Sequence, residues 1–219
     1  MDNKVSPDGS KWYGLALTAV VRASGCSLMA WAGAETSIAT KQTVALKDVP
    51  LVRRAIDTAA RACDGRVITV IGHDWSSVLG AMNTNSGFVV VNEDYRRGLG
   101  TSIAAAARAC RPGADALLLL LADQALVTAE HLFDLLDNWS GSDKEIVATA
   151  YNDTQGPPAL FPRATFDDLC QLSGDTGARA LFQDDRFRLK TVRFEPAAID
   201  IDTPADLTRI MHQLVQYPG

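Results

Sequence analysis

The chain has 219 residues, of which 47% are hydrophobic and 21% charged, and a formal net charge of −5. That length and apolar content support a self-sufficient core, which excludes a disordered chain and a disulfide-stapled miniprotein. The acidic balance argues against a general nucleic-acid binder, which needs a basic face, and leaves room only for a local basic pocket.

Strand-like and helix-like segments alternate along the chain. Residues 1–11 are polar with Pro and Gly and read as a flexible arm; residues 12–219 read as a single domain. Leu15 to Val21 is expected to be a buried strand, followed by an irregular stretch over 23–48. Pro50 opens a helix with Leu51, Arg54, Ala55, Thr58 and Ala59 at helical spacing. Val67–Ile71 is β-branched and ends at Gly72, a strand signal; Ser76–Met82 is a short helix and Phe88–Val91 another strand. Thr101–Cys110 is an alanine-rich helix. Leu117–Leu121 shows no polar alternation, as expected of a strand buried on both faces. Thr128 caps a helix to about Asn138, and Ile146–Ala150 is a strand.

Beyond this point the pattern is less regular. Pro158–Phe161 and Leu189–Phe194 read as strands, Phe166–Leu172 and Ala178–Phe182 as helices, and Pro204 starts a last helix over Ala205–Val215. The βα alternation implies an α/β fold with a mostly parallel central sheet and helices on both faces.

Four cysteines (Cys26, Cys63, Cys110, Cys170) and three histidines (His73, His131, His212) are scattered and form no metal-like spacing. Reduced thiols, a cytoplasmic setting and no zinc site are expected. The longest apolar run, Ala116–Ala122, is strand-sized. Ala23-Ser24-Gly25-Cys26 loosely mimics a lipoprotein cleavage site, but Asp2, Asp8 and Arg22 favour a core strand over a signal. Neither nucleic acid nor membrane is expected as a partner.

In open α/β sheets ligands bind beyond the carboxyl ends of the strands. Asp123 follows five leucines and Ala122, so it stands at such an end, where a carboxylate can hold a divalent cation; a helix cap or surface acid is the plain alternative. Asp200 and Asp202 fall on one side of a second acidic turn before Pro204, where Asp202 or Thr203 can also cap the helix. Gly98-Leu99-Gly100-Thr101-Ser102 precedes a helix, and its glycines, hydroxyls and free N–H groups can take a phosphate or base edge. Asp175 and Arg179 lie in a tight turn entering a helix, suited to capping and to reaching an anion. Lys41, in the irregular segment, can neutralise a polyphosphate. No P-loop, nucleophile elbow or HExxH is present.

Taken in order, Lys41-Gln42, Pro50-Leu51-Val52, Asn92…Tyr95…Gly98-Leu99…Ser102, Leu121-Ala122-Asp123-Gln124, Gly156-Pro157-Pro158-Ala159-Leu160-Phe161, Ser173-Gly174-Asp175…Gly177-Ala178-Arg179 and Asp200-Ile201-Asp202-Thr203-Pro204 resemble the MobA-like nucleotidyltransferases. The similarity spans roughly 12–215 and is greatest to the molybdenum cofactor cytidylyltransferase branch. It implies a Rossmann-like nucleotidyltransferase fold and Mg²⁺-dependent transfer of a nucleotidyl group. CTP is the favoured NTP and a molybdopterin-type phosphate the acceptor, with pyrophosphate leaving and a molybdoenzyme as a protein partner.

By this resemblance Asp123 holds Mg²⁺ with Asp202, less surely Asp200, and Lys41 neutralises phosphate. Ser24, Gly25, Ser27, Gly98, Gly100, Thr101 and Ser102 line the nucleotide, and Gly156, Asp175 and Arg179 the acceptor. The family's phosphate loop carries an arginine. Two alignments, through Arg22–Met29 or through Ala32–Lys41, both lack it, and the sequence does not choose between them. Two further readings therefore stay open: a protein that binds and delivers a nucleotide-bearing cofactor, and an NAD(P)H-dependent oxidoreductase on the same fold.

Overall fold

A computed structural model describes residues 4–5, 11–12, 17–23, 41–82, 87–110, 114–175, 177–202 and 204–216. The strands are β1 (Lys4–Val5), β2 (Lys11–Trp12), β3 (Leu17–Ala23), β4 (Ala45–Leu46), β5 (Val49–Pro50), β6 (Val67–Ile71), β7 (Phe88–Val91), β8 (Ala116–Leu121), β9 (Glu145–Tyr151), β10 (Thr154–Pro162) and β11 (Arg188–Arg193). The helices are α1 (Leu51–Ala62), α2 (Trp75–Ala81), α3 (Leu99–Cys110), α4 (Ala129–Asn138), α5 (Phe166–Gln171) and α6 (Pro204–Gln216). Short 3₁₀ turns lie at Lys41–Thr43, Tyr95–Arg97, Arg163–Thr165, Ala178–Gln183 and Glu195–Ala198.

Seven strands form the main sheet in the order β11-β9-β10-β8-β3-β6-β7. All neighbours are parallel except β10, which runs antiparallel to both β8 and β9. The expected short strand over Pro158–Phe161 is thus part of a nine-residue strand. It follows β9 through a hairpin whose two turn residues, Asn152 and Asp153, both have positive φ. Asn and Asp tolerate that conformation, and such a turn twists with the strands it joins. The ladder shifts register between Gly156 and Ala159, where two prolines offer no N–H to a neighbour. A smaller hairpin, β4–β5, turns on Lys47 and Asp48, also at positive φ. The β1–β2 pair is two residues long, within and beside the segment read as an arm.

β8 is the central element. Leu118 and Leu120 face α1 and α4, with Val52, Ile56, Leu132, Leu135 and Leu136. Leu117 and Leu119 face α3 and α5, with Ile103, Ala106, Ala107, Phe161 and Phe166. Each of these four leucines is no more than 2% exposed. An alanine-rich α3 is what lets that helix lie close to the sheet.

A third cluster joins Leu46, Leu51, Ile201 and Ile210. It packs the β4–β5 hairpin and α6 together over the start of α1, beside the carboxyl end of β8. At the far edge, Glu145 is buried and bonded to the Ser140 amide, with Arg188 and Lys190 as ion partners. Burial alone would raise its pKa; Arg188, Ser140 and Lys190 outweigh it and hold the carboxyl at about 2.

Candidate active site

Asp123 stands two residues beyond β8, and its carbonyl accepts from the Ile201 amide at 3.1 Å. This bond and the Leu46–Ile201 cluster draw the 200–202 turn and the Lys41 segment onto one spot. Lys41 Nζ donates to Asp123 Oδ2 at 2.8 Å and to Asp202 Oδ1 at 2.5 Å. The Lys41 side chain is 9% exposed, Asp123 25% and Asp202 69%. Burial works against the Lys41 ammonium, but Asp123 and then Asp202 outweigh it and raise its pKa. Asp200 lies beside them. Although the residue is exposed overall, desolvation and then Asp123 push its carboxyl up to about 6, against the opposing effect of Lys41. Three residues expected from sequence to share a site are therefore brought into contact across 161 positions.

The residues present suit a hard divalent cation. Asp123 Oδ1 is buried and has no hydrogen-bond partner while Oδ2 is held by Lys41, so one acceptor of this carboxylate is unspent. Among the described residues no cluster of three or more His, Cys, Asp or Glu is arranged as a metal cage. Carboxylates of this kind hold hard divalent cations together with phosphate and water oxygens. Asp123 and Asp202 would hold such an ion.

The glycine turn takes a different form from the one expected. α3 begins at Leu99 rather than Thr101, so Gly100, Thr101 and Ser102 sit in its first turn and are buried. Asn92 Nδ2 donates to Thr101 Oγ1 and Ser102 Oγ, both at 2.9 Å, and Thr101 Oγ1 donates to Gly98 O at 2.8 Å. The hydroxyls read as candidate ligand contacts are thus engaged within the chain. The glycines serve contact between two loops. Gly98 has φ +104, and a Cβ there would lie 2.3 Å from Gly174 C and 2.6 Å from Asp175 Oδ1. A Cβ at Gly100 would lie 2.7 Å from Ser173 N, and the Gly100 amide donates to Gly174 O at 2.8 Å. The space these glycines leave is filled by residues 173–175, which fixes Asp175 in place.

Gly156, Asp175 and Arg179, the expected acceptor residues, do come together. A cavity of about 300 Å³ opens between α3, the carboxyl end of β8 and β10. Leu99, Ile103, Leu119, Leu121, Ala159, Phe161 and Phe182 make its apolar walls; Asp175, Arg179, Tyr151, Gln124 and Asp200 supply polar groups. A Cβ on Gly156 would meet Tyr151 Oη at 2.1 Å and Arg179 Nη2 at 3.4 Å, so glycine here leaves the Tyr151 hydroxyl room to lie against the strand beside Arg179. Among the described residues Arg179 has no carboxylate at ion-pair distance, which leaves its charge for a ligand. Ser24, Gly25 and Ser27 lie outside the described residues; β3 ends at Ala23, so they follow the strand directly.

Of four supporting groups, sequence reasoning singled out only Gln124, and that only as part of a motif. Gln124 Nε2 donates to Pro157 O at 3.0 Å and Ala197 O at 2.8 Å, tying β10 to the turn before Asp200. Thr149 Oγ1 donates to Pro158 O at 2.7 Å, so its lone pair must accept from His131 Nε2, 2.8 Å away. Burial pushes His131 down to about 4 and keeps the ring neutral in this chain of bonds. Tyr151 is the fourth. Tyr151 ends β9, and that position is the signal that could have found it.

With this geometry in view, a family model decides the assignment: MobA-like NTP transferase domain matches residues 35–192. The chain belongs to this family. The MobA-like match starts inside the second candidate phosphate loop, takes in Lys41, Asp123 and Arg179, and ends before Asp200. Among solved structures, Rv0371c of Mycobacterium tuberculosis is 28% identical with a TM-score of 0.76, covering 90% of this chain and 98% of that one. A manganese complex of Rv0371c is known and aligns with a TM-score of 0.72. A nucleotidyl transferase from Methanothermobacter, Mth528, shares the fold at 22% identity, with a TM-score of 0.75 over 92% of this chain and 98% of that one. The purine catabolism protein PucB of Bacillus subtilis is 28% identical over 120 residues, which is 53% of this chain and 57% of PucB. These relatives agree with a Rossmann-like nucleotidyltransferase fold. Among the described residues no helix is long and apolar enough to cross a membrane.

Proposed function

We propose that residues 12–219 act as one nucleotidyltransferase domain, moving CMP from CTP to a phosphate acceptor of the molybdopterin type and releasing pyrophosphate. The observation that carries this reading is the convergence of Lys41, Asp123 and Asp202 beside an acceptor-sized cavity. In the transfer, an acceptor phosphate oxygen bonds to the α-phosphorus, and the bond from that phosphorus to the β-phosphate oxygen breaks. A divalent cation at Asp123 and Asp202 would neutralise phosphate charge as pyrophosphate leaves. The manganese complex of Rv0371c supports a divalent ion here, and we take Mg²⁺ as the physiological one.

The chain's own groups do the rest by positioning and charge. Lys41 supplies positive charge to the triphosphate. Arg179 and Tyr151 hold the acceptor's anion at the mouth of the cavity, whose apolar walls keep water from competing as acceptor. The glycine turn and Asn92 hold the start of α3 where the nucleotide lies. The preferences for CTP and molybdopterin follow the sequence resemblance, as does delivery to a molybdoenzyme in the cytoplasm. The free, buried thiols of Cys63, Cys110 and Cys170 suit a reducing compartment.

The test is pyrophosphate release with CTP, GTP or ATP, Mg²⁺ and molybdopterin or molybdenum cofactor. Release with CTP and acceptor together, lost in Asp123→Ala, is expected. The absence of arginine from both candidate loops favours one second reading, a protein that binds and delivers a nucleotide-bearing cofactor. Tight binding of the finished cofactor with no pyrophosphate from any NTP would establish that reading and overturn the first.

A further inference from the structure

Lys41 does not simply wait for a triphosphate; it stands between the two carboxylates that would hold the metal. Asp123 has two oxygens. Oδ1 is buried away from solvent, and Oδ2 is bonded to the Lys41 ammonium. Asp202 Oδ1 is bonded to the same ammonium. A cation arriving from solution therefore meets two carboxylates that already share one positive charge.

Displacing that charge has a consequence for Lys41 itself. Its side chain is 9% exposed, so an ammonium pushed off both carboxylates stays in a largely dry setting without either of its hydrogen-bonded partners. Unpaired buried charge is strongly unfavourable. A triphosphate removes the difficulty, because it gives Lys41 a new anionic partner while bringing oxygens that complete the metal's shell. A divalent ion added alone crowds two cationic centres around the same carboxylates, and a polyanion added alone meets an acidic site; bound together, each offsets the charge the other brings.

We propose that Lys41 is a placeholder cation that shuts the metal site until nucleotide arrives, so that metal and NTP bind as a linked pair. This rests on the assignment of Asp123 and Asp202 as metal ligands. Linkage makes the effect reciprocal: nucleotide raises metal affinity by the factor by which metal raises nucleotide affinity. Removing the ammonium should break the link from one side. Metal would then bind without nucleotide, while nucleotide would bind more weakly for want of the lysine.

The experiment is a titration of nucleotide-free protein with Mn²⁺, followed by loss of the free-ion electron paramagnetic resonance signal. Lys41→Met keeps the length of the side chain and removes its charge. It should bind Mn²⁺ at least about tenfold tighter than the wild type, a difference of roughly 1.4 kcal/mol. The double variant Lys41→Met/Asp123→Asn should lose that gain. Equal affinity in Lys41→Met and wild type overturns the proposal, as does a gain that survives in the double variant. If Lys41→Met does not fold, the wild type alone decides. Mn²⁺ at about 1 mM should leave its melting temperature unchanged and raise it only with CTP; a clear rise with Mn²⁺ alone overturns the placeholder. None of these readouts needs turnover. Gated Mn²⁺ binding without pyrophosphate release would defeat the transferase reading and leave the gate standing. Release with ungated binding would do the reverse.

Discussion

Asp123 was legible because five leucines and an alanine point to a buried strand that must end where a carboxylate can face a ligand. Its partners were legible only in part. Asp202 and Lys41 sit in turns where capping or solvation explains them equally well, and no local rule says that a turn 79 residues further on touches Asp123; the bond from the Ile201 amide to the Asp123 carbonyl does that. The glycines show the opposite case. Gly98 and Gly100 were read as room for a ligand, but the room is taken by Ser173–Asp175. Such close approach between distant loops leaves no local sequence signal. A test at this scale compares two glycines at positive φ. Gly65 has φ +74 with nothing within 4 Å of an added Cβ, whereas Gly98 would strike Gly174 and Asp175. Gly65→Ala should cost about 1–2 kcal/mol, the price of the conformation alone. Gly98→Ala should cost clearly more and shift Asp175. Chemical denaturation of both variants checks this, and equal losses would contradict it.

At the level of elements, β8, α1, α4 and the β6 and β7 strands follow from hydrophobic pattern and caps, and they appear where the pattern put them. The strands of the β9–β10 hairpin were read at Ile146–Ala150 and Pro158–Phe161, but its turn and the first four residues of β10 were not. Pro157 and Pro158 fall at the register shift between Gly156 and Ala159, where the ladder is already interrupted. The Asn152-Asp153 turn between two apolar runs was the signal for the hairpin. Leu118→Ala, at 0% exposure in the middle of β8, should cost about 2–5 kcal/mol with the fold retained, measured by urea unfolding.

The β9–β11 edge carries a pH prediction. The Glu145 pKa falls from 4.5 to about 2 on folding, so the folded state binds fewer protons between those values. Its contribution is complete above about 4.5 and is lost as pH falls toward about 2. Wild-type stability should therefore decline across this window more steeply than that of Glu145→Gln, followed by unfolding at fixed pH steps. Parallel curves would mean that Arg188 and Lys190 do not hold this carboxylate.

For the molecule as a whole, class and layer order were the most legible features, since they sum weak signals over many residues. The site was less so, because its residues come from segments that meet only after the sheet has formed. The net charge of −5 and the three aspartates around Lys41 make the free protein a poor host for a polyanion on its own. A nucleotide should bind only with a divalent ion.

The most direct measurement is thermal stability with CTP, GTP and ATP, each with and without Mg²⁺ or Mn²⁺, in wild type and Asp123→Ala. A ligand at 100 times its Kd adds about 2.7 kcal/mol, or roughly 5–10 °C for a domain of this size. The account predicts such a rise for CTP only when the metal is present, and its loss in Asp123→Ala. An equal rise without metal, or one that persists in Asp123→Ala, would contradict it.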